Sequence, residues 1–191
     1  MEAEEIALID HLFGRVAPER CLEWGCGGST LHFSKILQDT SWDSIEHDFR
    51  WYKIISSYLE PKPNCTIHHV PFGSETDSSQ EEVESYVNFP DTLGGDFDFI
   101  LVDGRKRVKC LRKTKDILSR RGIVMLHDAG RARYQSGLEG FAFGYMFRLP
   151  WYHIGVWVGG MNKSLVKYYG IDGLFKEWQM LLYLYDFIGL Y

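Results

Sequence analysis

The sequence predicts an α/β fold in which a doubly wound, mostly parallel sheet of about seven strands carries helices on both faces. Between residues 20 and 128, short apolar runs alternate five times with segments whose apolar residues recur at helical spacing. Such alternation is typical of parallel strands that are joined by crossover helices. A length of 191 residues, with 45% apolar and 25% charged side chains, fits one globular domain.

The first two elements follow from the spacing of apolar side chains. Ile6, Ile9 and Phe13 recur at helical spacing within residues 4–13, which predicts an amphipathic opening helix. The short apolar run at 20–24 is typical of a buried strand.

The next elements are bounded by residues that cap or break helices. The predicted order is a helix at 29–37, a strand at 42–46, a helix at 51–59 and a strand at 65–70. Ser29 or Thr30 can cap the first of these helices, because their hydroxyls accept from free backbone N–H groups. Pro61 and Pro63 end the second helix, since proline cannot continue a helix.

The second half of the chain repeats the pattern after a polar interruption. Residues 73–91 are polar and acidic, and they predict a long loop, functional or mobile, with a short helix near 80–87. A strand at 97–104, a helix at 107–119, a strand at 122–128, one or two strands within 152–160 and a terminal helix at 172–190 follow. The predicted fold is therefore Rossmann-like.

Acidic side chains end four of the predicted strands. They are Glu23, Glu46, Asp103 and Asp128. Because ligands bind beyond the carboxyl ends of the strands in open parallel sheets, we expect these carboxylates to meet at one binding rim.

The stretch CLEWGCGGST, residues 21–30, contains the end of the first strand and a loop that is rich in glycine, so its backbone is accessible. A ligand can lie against Gly25, Gly27 and Gly28, but a dinucleotide fingerprint would need a further glycine where Thr30 stands. Glu23 disfavours a pyrophosphate and favours an ammonium group. A second acid about 20 residues on is typical of ribose recognition, and Glu46 lies 21 residues after Gly25. S-adenosylmethionine has both a cationic amino-acid portion and a ribose.

The stretches LEWGCGGST, SIEHD and FDFILVDG together resemble motifs I, II and IV of the class I S-adenosylmethionine-dependent methyltransferases, over roughly residues 18–130. The resemblance implies that the first loop wraps the methionine portion and that Glu46 binds both ribose hydroxyls. His47 and the residues near Pro71 and Phe72 would border the adenine. The predicted cofactor-binding residues are Glu23, Trp24, Gly25, Cys26, Gly27, Gly28, Ser29, Thr30, Glu46, His47 and Asp103.

The ends of two later strands resemble those of small-molecule O-methyltransferases. His127 or Asp128 is the predicted catalytic base, and Asp103 is predicted to face the methyl donor or the acceptor. Two other interpretations stay open, because Asp103 can cap the following helix and His127 can be a hydrogen-bonded packing residue. Catechol-type members bind magnesium through two aspartates and an asparagine, but Ala129 stands where that asparagine is expected, so a divalent metal is not favoured.

A basic segment begins directly after Asp103 and Gly104. Nine of the seventeen residues from 105 to 121 are Lys or Arg. From Lys109 to Arg121 the segment predicts a solvated helix face. Nearest the rim, Arg105, Lys106 and Arg107 could bind a carboxylate, phosphate or sulfate on an acceptor together with residues 129–134. The predicted substrate-binding residues are Arg105, Arg131, Arg133 and Tyr134.

The predicted organisation is a single methyltransferase-like domain over 1–191. It comprises an N-terminal helix in 1–17, a cofactor-binding core in 18–130 and C-terminal strands with an aromatic helix in 131–191. The net charge of −5 argues against general nucleic-acid binding. No apolar run reaches the ~20 residues of a membrane span. The four scattered cysteines predict buried reduced thiols, and we expect a cytoplasmic protein.

The favoured function is methylation of an oxygen on a small or glycan-like acceptor, which the basic segment suggests is anionic. A non-catalytic methyltransferase-like interaction module is the first alternative. An NAD(P)-dependent reductase is the second, although it predicts the glycine that is missing at position 30. The aromatic segment at 178–191 predicts a core-covering helix, a lid or a homodimer contact.

Overall fold

The computed structural model describes residues 1, 3–59, 63–73, 78–149 and 152–188. The strands are β1 (Arg20–Trp24), β2 (Ser41–Glu46), β3 (Cys65–His69), β4 (Phe97–Val102), β5 (Leu118–His127), β6 (Phe143–Leu149) and β7 (Tyr152–Gly160). The helices are α1 (Ala3–Val16), α2 (Gly28–Ile36), α3 (Phe49–Tyr58), α4 (Gln80–Asn88), α5 (Arg107–Ile117), α6 (Ser164–Tyr168) and α7 (Ile171–Ile188). Short 3₁₀ helices follow α4 and β5, at Phe89–Leu93 and Ala132–Gly137.

The seven strands form one sheet in the order β3-β2-β1-β4-β5-β7-β6. The first five are parallel, and β7 lies antiparallel between β5 and β6. The strand order reverses between β1 and β4, so the loops that follow these two strands leave in opposite directions and open a crevice. The doubly wound, mostly parallel α/β fold predicted from the sequence is confirmed.

Two apolar clusters, one on each face of the sheet, form the core. Alternate residues of β4 show the division, since Phe99 and Leu101 belong to one cluster and Ile100 and Val102 to the other. Helices α1, α2 and α7 contribute to the first cluster, and α4 and α5 contribute to the second. Burial on both faces explains why these strands are almost continuous apolar runs.

The C-terminal part departs from the sequence prediction. Residues 152–160 form one strand, β7, which pairs with a strand, β6, that the apolar pattern did not reveal. Glycines interrupt this hairpin, because a Cβ at Gly144 or Gly159 would collide with the indole of Trp157. The glycines make room for a large side chain and at the same time weaken the strand pattern.

Smaller corrections concern element ends. Strand β5 begins at Leu118, within the helix predicted at 107–119, and α5 ends at Ile117. The short helix predicted near 80–87 is α4, whose first turn is closed by reciprocal hydrogen bonds between Ser79 and Glu82. All four cysteines are buried free thiols, as predicted. Within the described ranges, no helix is both long and apolar enough to cross a membrane.

Candidate functional site

A cavity of about 640 Å³ opens at the carboxyl ends of β1, β2 and β4. It lies at the point where the strand order reverses, which is the ordinary ligand site of open α/β sheets. Its lining comprises Met1, Ile6, Glu23, Gly25, Cys26, Gly27, Gly28, Ser29, Glu46, His47, Asp48, Trp51, Asp103, Gly104, Arg105 and Arg107.

Two glycines bring the loops after β1 and β4 into backbone contact. Gly25 has φ +93°, a left-handed conformation, and its N–H donates to the carbonyl of Ile45 at 2.8 Å. A Cβ at Gly25 would lie 2.8 Å from the Cα and N atoms of Gly104. A side chain at either position would force the loops apart, so only glycine fits this crossing.

Gly27 and Gly28, in contrast, are not crowded by the protein. A Cβ at Gly28 would meet no atom within 4 Å, and one at Gly27 would only touch the ring of Trp51 at 4.0 Å. The indole N–H of Trp51 donates to the carbonyl oxygen of Cys26, which fixes the ring beside the loop. The protein's own packing therefore does not require glycine at 27 and 28, and the space beside them is open to a ligand.

Glu23 is fully buried beneath this loop and accepts four hydrogen bonds. The donors are Ser29 Oγ, Thr30 Oγ1 at 2.6 Å, Ser44 Oγ at 2.8 Å and Trp42 Nε1 at 3.2 Å. Burial raises the pKa of Glu23 to about 7, although these hydrogen bonds oppose the rise and the nearby Asp103 adds to it. Glu23 thus ties β1 to β2 and α2, and it titrates near neutral pH.

Glu46 ends β2 as an ionised carboxylate. Its Oε1 accepts from the backbone N–H groups of His47 and Asp48 at 2.8 and 2.7 Å, and its Oε2 accepts from Cys26 N–H at 3.2 Å. Burial favours a higher pKa, but the hydrogen bond from the imidazole of His47, whose Nδ1 is 2.8 Å from Oε1, and the backbone hydrogen bonds from Asp48 and Cys26 outweigh it and lower the pKa of Glu46. The imidazole of His47 stacks on Phe72 with ring centres 4.5 Å apart.

Across the cavity, a histidine lies between two carboxylates. His127 Nδ1 is 2.8 Å from Asp103 Oδ1, and its Nε2 is 3.1 Å from Oε2 of Glu5 on α1. Burial favours a lower pKa, but the two carboxylates dominate and raise the pKa of His127 to about 9. His127 is therefore an imidazolium at neutral pH.

Arg107, on α5, binds Asp103 and another carboxylate, that of Asp128. Its Nη2 is 2.9 Å from Asp103 Oδ1, and its Nη1 is 3.4 Å from Asp128 Oδ2. Arg131 lies 2.9 Å from that Asp128 oxygen. Asp128 has φ +59°, so a strained turn brings its carboxylate back toward both arginines. Among the described residues, no group of three or more His, Cys, Asp or Glu side chains is arranged to hold a metal ion.

The predicted site residues divide into those that line the cavity and those behind it. Glu23, Gly25, Cys26, Gly27, Gly28, Ser29, Glu46, His47, Asp103 and Arg105 line it. Thr30, His127, Asp128 and Arg131 lie behind it in the hydrogen-bond networks described above. Arg133 and Tyr134 line a second cavity, of about 260 Å³, together with Arg105.

Among the residues predicted to bind the cofactor, Trp24 has its side chain turned away from the cavity. Its indole lies in the second apolar cluster and donates to the carbonyl of Tyr86 at 3.3 Å. Side chains alternate along a strand, so Trp24 points to the face opposite Glu23.

The sequence places Arg107 at the rim with Arg105 and Lys106, but it does not reveal the ion pairs of Arg107 with Asp103 and Asp128. Two further residues at the site, Trp51 and Glu5, are not predicted from the sequence. Trp51 follows the N-cap Asp48 by one turn of α3, a position that a longer reading of the second motif could have flagged. No sequence pattern indicates a role for Glu5, because its partner His127 lies 122 positions away in the chain.

No model of a known protein family matches the chain, and no curated protein matches it in sequence. Solved structures do match. A methyltransferase-like protein from Silicibacter pomeroyi is 20% identical, with a TM-score of 0.60 over 88% of this chain and 95% of that one. Human methyltransferase-like protein 13, in complex with S-adenosylhomocysteine, is 14% identical, with a TM-score of 0.63 over 89% of this chain and 90% of its own.

A third match is a candidate caffeoyl-CoA O-methyltransferase from Staphylococcus aureus. It is 16% identical, with a TM-score of 0.61 over 83% of both chains. The chain has the class I S-adenosylmethionine-dependent methyltransferase fold.

Proposed function

We propose that the chain binds S-adenosylmethionine in the 640 Å³ cavity and transfers its methyl group to an oxygen of a small or glycan-like acceptor. The observation that supports the proposal best is the pair of glycines at 27 and 28. Their Cβ positions would meet open space or a single aromatic edge, although the loop is otherwise tightly bonded. A ligand that lies against this backbone would explain why glycine stands at both positions.

The residues of the cavity fit the proposed cofactor. The ionised carboxylate of Glu46 can accept from two ribose hydroxyls, and Glu23 favours a cationic methionine end. The stacked rings of His47 and Phe72 offer an aromatic surface for a base. When bound, the cofactor supplies an electrophilic methyl group on a sulfonium.

Asp103 is the proposed proton acceptor for the hydroxyl of the acceptor molecule. It lines the cavity, and its side chain is 28% exposed, whereas His127 does not line the cavity and already carries a proton at neutral pH. His127 and Arg107 hold Asp103 by two hydrogen bonds to the same oxygen, Oδ1. They are positioning residues that orient the carboxylate of Asp103.

A non-catalytic module stays the alternative, and one observation favours it. Asp103 and Asp128 are both bound to cations of the protein, and the third acid, Glu5, is fully buried against His127. Acids that are already paired with the protein's own cations are compatible with a site that binds a ligand without turnover. A reductase on the same architecture is less favoured, because Thr30 at the position of the third glycine donates a hydrogen bond to Glu23.

Calorimetry with S-adenosylhomocysteine, followed by incubation of extracts with labelled methyl donor, tests the proposal. We expect binding by the intact chain and by a Glu139→Gln control, and at least about tenfold weaker binding by Glu46→Gln. No binding at millimolar ligand by folded protein would overturn the proposal.

Turnover separates the two functions. We expect Asp103→Asn to lose at least about 100-fold in methyl transfer while it still binds S-adenosylhomocysteine. Binding without labelling of any acceptor by the unaltered protein would favour the non-catalytic module. A cytoplasmic location, which cell fractionation would test, is also part of the proposal.

A further inference from the structure

The second cavity lies beside the first, beyond the loop that follows β4. Its volume is about 260 Å³, and it shares Gly104, Arg105 and Arg107 with the first cavity. Its lining is Gly104, Arg105, Lys106, Arg107, Val108, Lys109, Arg133 and Tyr134. Five of these eight residues are cationic and none is acidic, in a chain whose net charge is −5.

We propose that this second cavity, the basic cavity, binds a phosphate monoester or a comparably charged oxyanion of the methyl acceptor. The inference rests on the proposed function, since it names the class of substrate that the same site would methylate. Several guanidinium and ammonium groups surround a small volume, and each can donate charge-assisted hydrogen bonds to a bound anion. A doubly charged oxyanion therefore gains more in this cavity than a ligand that carries one carboxylate.

The arginines of the basic cavity are held in different ways. The guanidinium of Arg107 is bound to the carboxylate of Asp103, so it contributes little net charge. Arg133 Nη2 donates to the hydroxyl of Tyr134 at 2.9 Å, and Cζ of Arg133 lies 4.9 Å from the centre of the Tyr134 ring. Tyr134 therefore holds Arg133 at the wall of the cavity, and Arg105 reaches both cavities from the loop between them.

The backbone at the start of α5 adds to this charge. The helix begins at Arg107 after Lys106, which has φ +52°, and no side chain caps its first turn. That turn contains no acidic residue. The partial positive charge of the helix start is thus left for an anion, in addition to the cationic side chains.

The position of the basic cavity explains what the anion would do. Asp103, the proposed proton acceptor, directly precedes Gly104, which belongs to both cavities. An anionic group held by Arg105 and Arg133 would leave the rest of the acceptor reaching into the first cavity. The anion would then anchor the molecule while its hydroxyl faces Asp103, and such positioning is a large part of catalysis.

The experiment titrates inorganic phosphate into the intact chain and follows the Arg Nε–H signals and the amide signals of Arg107 and Val108 by NMR. We expect saturable shifts of these signals, which Arg105→Gln/Lys109→Gln weakens at least about tenfold. The matched control is Arg120→Gln/Arg121→Gln, two exposed arginines at the other end of the sheet, which should bind phosphate as the unaltered protein does.

Two comparisons complete the test. Sulfate should compete with phosphate, whereas acetate at equal concentration should shift the signals at least about tenfold less. Equal shifts with acetate, no saturable shift with phosphate, or equal binding by the double variant and its control would overturn the proposal. S-adenosylhomocysteine is titrated into the same samples. If the unaltered protein binds S-adenosylhomocysteine but not phosphate, the basic cavity alone is refuted. If it binds phosphate but not S-adenosylhomocysteine, the proposed cofactor is refuted.

Discussion

His127 lies between carboxylates that come from distant parts of the chain, Glu5 on α1 and Asp103 after β4. Its pKa of about 9 in the folded protein exceeds the 6.5 of an unperturbed imidazole. The stability that this histidine contributes is therefore fully present below pH 6.5 and is lost as the pH rises through about 9.

We expect Glu5→Gln to lower the pKa of His127 by at least about one, because one of the three carboxylates beside the imidazole, those of Glu5, Asp103 and Asp128, loses its charge. NMR titration of the imidazole measures this pKa, and urea unfolding between pH 6 and pH 10 measures the accompanying change in stability. Glu4→Gln, one residue earlier on the same helix, is the control. An unchanged histidine titration in Glu5→Gln would show that the contact between Glu5 and His127 is not made in solution.

Glu23 supports a second prediction at the residue scale. Its pKa of about 7 means that a large fraction of the carboxyl is protonated at neutral pH. A cationic ligand beside it would favour the ionised form, so binding should release protons.

The expected sign is net proton release near pH 7, seen as a binding enthalpy that changes with the ionisation enthalpy of the buffer. Glu23→Gln should bind S-adenosylhomocysteine more weakly and lose the buffer dependence, while Glu139→Gln keeps both. A buffer-independent enthalpy for the unaltered protein would contradict this account of Glu23.

At the scale of elements, the loop between β1 and α2 contains glycines with two distinct roles. Gly25→Ala should destabilise the fold by roughly 2–4 kcal/mol, because its left-handed backbone and the contact with Gly104 both exclude a Cβ. Gly28→Ala should leave the fold as stable or slightly more stable, since alanine favours a helix start where space is free.

The same pair separates fold from function. We expect Gly28→Ala to weaken S-adenosylhomocysteine binding at least about tenfold although its thermal unfolding is unchanged. Thermal denaturation and calorimetry on both variants measure the two effects. Undiminished binding by Gly28→Ala would mean that no ligand lies against this part of the backbone.

Elements also show what the sequence could reveal. The five parallel strands and their helices were predictable because burial on both faces leaves continuous apolar runs between capped helices. Strand β6 was not, because Gly144, which leaves room for the indole of Trp157, breaks the alternation that marks a strand. The carboxylates at the strand ends were found from topology alone, but the pairing of Glu5 with His127 and of Arg107 with two aspartates arises only when the chain folds.

For the whole molecule, the C-terminal helix supports a prediction about assembly. Helix α7 buries Ile171, Leu174 and Trp178 in the first apolar cluster. Beyond them, Met180 and Tyr183 are 59% and 68% exposed. Exposed apolar side chains in one stretch are typical of an interface, so we expect a homodimer.

Light scattering at two protein concentrations measures the mass, and Met180→Lys/Tyr183→Lys should shift it toward that of a monomer of 22.2 kDa. The control is Tyr168→Lys, which changes another exposed aromatic on α6. A monomeric mass at both concentrations would end the dimer hypothesis. The end of the terminal helix predicted at 172–190, from residue 189 on, lies outside the described part of the chain.

The crossing of Gly25 and Gly104 limits how this molecule can acquire a new substrate. The loops after β1 and β4 touch at these two glycines, and neither glycine can gain a side chain unless the other loop moves. Redesign for a different acceptor would therefore have to change other residues around the two cavities, such as Arg105 and Arg133, and keep both glycines.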